Sequence, residues 1–242
     1  MNFGIIAAGE GSRLAQEGIS VPKPLVHIQG RPMLERLLRI MEDCGARRIV
    51  ICTNGSMPEL SRYIEEYRPA PGVELVRMER VTPSSMHTFK EISEHLRGHG
   101  RFIATTVDTI FRPEDFRRYV EAWEKAGEDV DALMAVTDFV EDEKPLWVAA
   151  DPADMRVRAF LDRREPGTDF VSGGIYGLSD RAIDVLDDCI EAGLSRMRNY
   201  QRALVEQGLG VYAMQMGKIL DVDHASDIAA AERFLSGDEE NK

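Results

Sequence analysis

Hydrophobic positions in the first half of the chain follow two alternating rhythms. Short runs dense in Ile, Val, Phe and Ala at 3–7, 48–52, 73–78, 102–106 and 132–136 have the length and composition of buried strands. Between them, segments 32–44, 58–67, 88–97 and 113–126 space their apolar residues three and four apart, so that one helical face is hydrophobic. Three of these four segments open on proline (Pro32, Pro58 and Pro113), where the missing N–H costs little because the first turn of a helix has no acceptor for it. Strand and helix alternating at this spacing predict βαβ units on a mainly parallel sheet.

The second half changes rhythm. Runs at 146–150, 157–161 and 170–178 are strand-like with no long helix between them, which predicts an antiparallel elaboration of the sheet. Helices at 180–192 and 199–207, a strand at 211–216 and a helix at 225–235 follow. No internal repeat and no Pro/Gly/Ser-rich linker divides the chain, so residues 1–236 are expected to form one domain, with a polar tail at 237–242.

A chain of 242 residues buries roughly 70–75% of its unfolded surface, enough for a core without disulfides or structural metals. Cys44, Cys52 and Cys189 are odd in number and form no CxxC pair, so they are expected to pack as small apolar side chains. No apolar run approaches the ~18 residues of a membrane span, and the stretch from Met1 to Ile6 carries no targeting pattern; the expected location is the cytoplasm, with no membrane partner. Asp and Glu outnumber Lys and Arg by 42 to 30, a net charge of −12. Such a surface repels phosphodiester backbones, so nucleic acid is not an expected partner, and any small anionic ligand must be held by local cations.

Those cations have a candidate setting. Directly after the first strand comes Ala7-Ala8-Gly9-Glu10-Gly11-Ser12-Arg13-Leu14, a turn whose glycines permit positive φ and bring backbone N–H groups close to an anion. A dinucleotide fingerprint would need glycine at Leu14 and an acid after the second strand, where Thr53-Asn54-Gly55 stands. A Walker loop would need a closing Gly-Lys-Ser/Thr, which is absent. What remains is a glycine turn carrying Arg13, followed by Lys23 between Pro22 and Pro24, which restrict the backbone and place the lysine on a stiff extended segment.

With "AAGEGSRL", "PKPL" and "GRPML", the segment from Ile5 to Leu34 resembles the sugar-1-phosphate nucleotidyltransferases, the NTP transferase family that includes MobA-like members. The resemblance implies an α/β, Rossmann-like fold: a mainly parallel central sheet flanked by helices, glycosyltransferase-A-like, with a small antiparallel elaboration on the acceptor side. It further implies a loop in which Ala8, Gly9, Gly11 and Ser12 cradle the nucleotide. Arg13 would contact the β- and γ-phosphates and Lys23 the reacting phosphate.

Phosphoryl transfer calls for Mg2+, which takes one or two carboxylates besides phosphate and water oxygens. Asp108 follows the strand 102–106 and so lies where open α/β sheets bind ligands. In "DVDHASDIAAAE", Asp221 and Asp223 project to one side of an extended segment, whereas Asp227 suits the first turn of the helix. By resemblance the metal pair is Asp108 and Asp223, with Val107 standing where the family usually has glycine.

The polar turn from Thr82 to Thr88 leads into a helix, with Thr88 as the expected cap. The resemblance places base recognition there and implicates Glu79, Ser84 and Ser85. It likewise makes "VSGGIY" the acceptor strand, with Ser172 where Asn is common, Gly174 at the sugar, and Asp162 on a hydroxyl pair. His95 and His99 share helical spacing but lack a zincin glutamate and are expected at the surface. The expected activity is therefore Mg2+-dependent transfer of NMP from an NTP to a sugar 1-phosphate. Alternatives are cytidylyl transfer to phosphocholine or a similar phosphorylated head group, and a nucleotide-binding regulatory domain without catalysis. Base, sugar and assembly state are left open by these residues.

Overall fold

Strand β1 (Asn2–Ala7) is buried along its whole length and forms the centre of the sheet. In this computed structural model, which describes residues 1–140 and 144–237, β1 pairs in parallel with β4 (Arg48–Thr53) on one side and β6 (Phe102–Thr106) on the other. Beyond β4 lies parallel β5 (Glu74–Glu79). Their carboxyl ends point the same way, and the loops there carry the glycine turn, Asn54, the 80–84 segment and Asp108.

The expected parallel run stops at β6. Its next neighbour is antiparallel β11 (Phe170–Leu178), which in turn pairs antiparallel with β8 (Ala132–Thr137); β12 (Val211–Gln215) then adds in parallel to β8. The reason is local. A parallel return needs a helical crossover, and between β8 and β11 the described chain has only the hairpin β9 (Trp147–Ala150) and β10 (Val157–Leu161). Strand β9 also pairs with the start of β11.

Helices cover both faces. On one side α2 (Met33–Asp43), α3 (Pro58–Glu66) and α5 (Pro113–Lys125) bury Leu37, Leu60, Phe116 and Trp123 against Phe3, Ile5 and Ile51. On the other, α4 (Ser85–Ser93), α6 (Asp180–Glu191) and α7 (Met197–Glu206) bury Phe89, Leu186 and Tyr200 against Phe102 and Met134. Cys52 and Cys189 are buried in the second of these layers, and Cys44 is half-buried. A third cluster joins α1 (Ser12–Gln16), the short hairpin β2 (His27–Ile28) and β3 (Arg31–Pro32), the start of α2, and α8 (Ala225–Ser236) through Leu14, Ile28, Met33 and Phe234. Two short strands, β7 (Thr109–Ile110) and β13 (Leu220–Asp221), pair antiparallel beside it.

Two local expectations change, and a third lies almost wholly outside the described residues. Helix α4 begins at Ser85 and ends at Ser93, so Ser84 is its cap and Thr88 lies inside it, its hydroxyl donating to the Ser84 carbonyl at 3.3 Å. Lys23 opens a single 3₁₀ turn, Lys23–Leu25, instead of an extended segment; Pro24 suits the early position of such a turn. Of the tail at 237–242 only Gly237 is described, as the left-handed residue closing α8. No helix among the described residues is long and apolar enough to cross a membrane.

Candidate active site

Two cavities meet at Arg13 and Asp223. The larger, about 610 Å3, is lined by Ala8, Gly9, Gly11, Ser12, Lys23, Asn54, Ser84, Ser85, Thr88 and Asp108 among others. The smaller, about 100 Å3, opens between β11 and α8 and includes Phe139, Ser172, Gly173, Ile219, Asp221 and His224.

Asp108 and Asp223 are far apart in sequence, and the β7–β13 pairing is what joins them. Asp221 is in register with Thr109, and Val222 N–H donates to the Asp108 carbonyl at 3.1 Å. Backbone bonds thus hold the two acidic segments side by side. Asp227, in the first turn of α8, accepts from Asp223 N–H at 3.0 Å and His224 N–H at 2.7 Å, which fixes the strand-to-helix turn carrying Asp223.

Lys23 stands between the two acids. Its ammonium donates to Asp108 Oδ2 and, at 2.7 Å, to Asp223 Oδ1, with only 10% of the side chain exposed. Arg13 Nη1 reaches the other oxygen of Asp223 at 2.9 Å. Burial alone pushes the Asp108 carboxyl up, but the ammonium pressed against it prevails and holds it below the usual carboxylate range. Burial likewise pulls Lys23 down, and the charges of Asp108 and then Asp223 outweigh it, keeping the lysine firmly protonated. Asp221 fares differently: burial, then the negative charges of Asp108 and Asp223, push it up to about 7, although Lys23 and the Thr109 hydroxyl, which donates to it at 3.2 Å, act against the rise.

The glycine turn is shaped by this lysine. Gly11 sits at φ 64, and a β-carbon there would lie 2.7 Å from the Lys23 Cβ. Gly9 has open space where its side chain would be. Asn54 at the end of β4 spans toward the turn, donating to the Ala8 carbonyl at 3.4 Å while its Oδ1 accepts from Ser56 N–H at 2.9 Å.

The predicted site residues divide accordingly. Ala8, Gly9, Gly11, Ser12, Arg13, Lys23, Ser84, Ser85, Asp108 and Asp223 all line the larger cavity. Glu79 does not; it ends β5, exposed, and Asn54, Val81, Thr82 and Thr88 line the wall instead. Ser172 lines the smaller cavity and donates to Gln201 Oε1 at 2.7 Å. Gly174 lies behind that wall at φ 72, where a β-carbon would meet Thr109 Oγ1 at 2.9 Å. Asp162 lines neither cavity: Arg198 and Arg202 of α7 bind it at 2.8 and 2.7 Å at the surface. His95 and His99 are exposed, as expected. Asn54 is not among the expected site residues, although a polar residue just past a strand adjoining β1 falls at the carboxyl edge of the sheet, where the cavity lies.

A parallel-centred sheet flanked by helices, with a glycine turn beyond its carboxyl edge, is the fold expected of a nucleotidyltransferase-type α/β domain. Residues 4–168 match the family described as the MobA-like NTP transferase domain, and the chain belongs to that family. It is 23% identical over 236 residues to the bifunctional protein GlmU of Methanococcus maripaludis, covering 96% of this chain but 54% of that protein, so it spans about half of that relative's length. It is 24% identical over 205 residues to the glucose-1-phosphate cytidylyltransferase of Salmonella typhimurium, covering 76% and 77% of the two chains. In fold it is similar to the inositol-1-phosphate CTP transferase from T. maritima, with a TM-score of 0.79, 17% identity and coverage of 99% and 96%.

Proposed function

We propose that the chain transfers a nucleoside monophosphate from an NTP to a sugar 1-phosphate, or a closely related phosphorylated polyol, with release of pyrophosphate. The observation that carries this reading is the convergence of Arg13, Lys23, Asp108 and Asp223 at the mouth of the glycine turn. The larger cavity would take the nucleotide and the smaller one the acceptor, so that the two substrates meet beside Asp223. CTP is the first nucleotide to try, because two of the similar proteins carry cytidylyl or CTP transfer in their names.

The donor set fits a hard divalent ion. Asp108 and Asp223 direct carboxylate oxygens at one shared cationic atom, Lys23 Nζ, and two carboxylates completed by phosphate and water oxygens are the usual protein share of a Mg2+ site. When bound, Mg2+ would neutralise phosphate charge and help align the triphosphate.

A phosphomonoester oxygen is anionic near neutral pH, so its attack on the α-phosphorus requires no protein base. It forms one P–O bond as the bond to the pyrophosphate oxygen breaks. The obstacle is charge: two unit charges at about 4 Å repel by roughly 4 kcal/mol at an effective dielectric near 20. Arg13 and Lys23 would lower that repulsion, Lys23 at the reacting phosphate and Arg13 toward the leaving group, while Gly9, Gly11 and Ser12 offer backbone N–H groups. Ser84, Ser85 and Asn54 would face the base. Pyrophosphate release measured over the four common NTPs and a panel of sugar and polyol phosphates tests the reading. Mg2+-dependent release that needs both substrates supports it; nucleotide binding without release from any pair favours a regulatory domain.

A further inference from the structure

The groups assigned to phosphate and the groups assigned to the metal are bound to one another here. Lys23 Nζ bridges Asp108 and Asp223, and Arg13 takes the remaining oxygen of Asp223. The lysine pairing is shielded from water, whereas the Arg13 pair, with 56% of the arginine side chain exposed, is screened and weak. A divalent ion arriving alone at Asp108 and Asp223 therefore meets an ammonium already in hydrogen-bond contact with both. A triphosphate arriving alone meets two cations already paired, beside carboxylates that repel it. Each ligand removes the other's obstacle, since the ion can replace Lys23 on the acids while the triphosphate gives Lys23 and Arg13 new anionic partners.

We propose that Lys23 is a tethered counter-ion standing in for the divalent cation, so that ion and triphosphate enter the cleft as a coupled pair and neither binds tightly alone. The proposal rests on the nucleotidyltransferase reading of the cleft but concerns binding, not turnover. Linkage requires that the factor by which triphosphate tightens the ion equals the factor by which the ion tightens triphosphate.

The test uses the full chain without an acceptor. Mn2+ binding to the nucleotide-free protein is followed by electron paramagnetic resonance for the wild type and for Lys23→Met, which removes the ammonium and keeps most of the stem's bulk. The variant is expected to bind Mn2+ at least about tenfold more tightly, a change of about 1.4 kcal/mol; unchanged or weaker binding overturns the proposal. Lys23→Gln repeats the comparison if the methionine variant does not fold. The wild type supplies an arm free of mutation: inorganic tripolyphosphate titrated calorimetrically in EDTA and in saturating Mg2+. At least tenfold weaker binding in EDTA is expected, and equal affinity in both overturns the proposal. Failure of pyrophosphate release would count against the proposed reaction, whereas these binding results decide the coupling by themselves.

Discussion

Gly11 and Lys23 are packed so closely that neither position is independent of the other. A β-carbon on Gly11 would stand 2.7 Å from the Lys23 Cβ, and the glycine occupies the left-handed region at φ 64. Gly11→Ala is expected to cost about 1–3 kcal/mol of stability from backbone strain and overpacking, measured by urea denaturation. It should also reduce turnover, because relief of the clash moves Lys23 away from Asp108. A variant as stable and as active as the wild type would show that the loop yields without displacing the lysine.

Lys23→Ala and Asp108→Ala each remove one preorganised charge from the proposed reaction centre. Turnover in steady-state pyrophosphate release is expected to fall by roughly 10²–10³ in each variant. Circular dichroism separates this from misfolding, which matters because Lys23 is buried. Turnover within threefold of wild type in a folded variant would remove that residue from the chemistry.

A clamp between Glu17 and α8 should leave a pH signature in stability. Glu17 accepts from Ala225 N–H and pairs with His224 Nδ1, both at 2.6 Å. The Ala225 N–H, then His224, lower the Glu17 carboxyl, while Glu17 raises His224 above its ordinary 6.5. The histidine contribution is complete below 6.5 and fades as pH rises through its folded value. The glutamate contribution is complete above its ordinary 4.5 and fades as pH falls through its folded value. The melting-temperature difference between wild type and Glu17→Gln should therefore peak at about pH 5–6 and shrink toward pH 8. A difference that is flat across that range contradicts the clamp.

Ser172 and Asp162 should part company in acceptor kinetics. Ser172 lines the smaller cavity, and Ser172→Ala is expected to raise the acceptor KM severalfold with the NTP KM unchanged. Asp162 is held by Arg198 and Arg202 outside both cavities, so Asp162→Ala should leave both KM values within about twofold. The opposite ranking of the two variants would return Asp162 to the acceptor site.

Much of this arrangement is legible in the sequence because its signals are local. The strands around β1 are continuous apolar runs, and the glycine turn, Pro22-Lys23-Pro24 and the two acidic segments are short motifs whose residue types imply phosphate and metal chemistry. What escapes local reading depends on pairings distant in sequence. That β11 runs antiparallel to β8 follows from the missing crossover helix, but its place between β6 and β8 is set by packing. Asp162 looks like a free acid until α7 folds back and supplies two arginines. Asn54 lines the larger cavity and Glu79 does not, because the end of β4, next to β1, faces the cleft while the end of β5 lies farther out. Gly174 is required by the Thr109 hydroxyl behind it, a contact that exists only once β7 and β11 are adjacent.

The most direct measurement is a crystal structure of the chain with Mg2+ and a non-hydrolysable NTP. The expected result is one ion shared by Asp108, Asp223 and the phosphates, with Lys23 withdrawn from the carboxylates onto phosphate oxygens and Arg13 on the triphosphate. A triphosphate seated elsewhere, or one bound in the cleft while Lys23 still bridges Asp108 and Asp223, would contradict it.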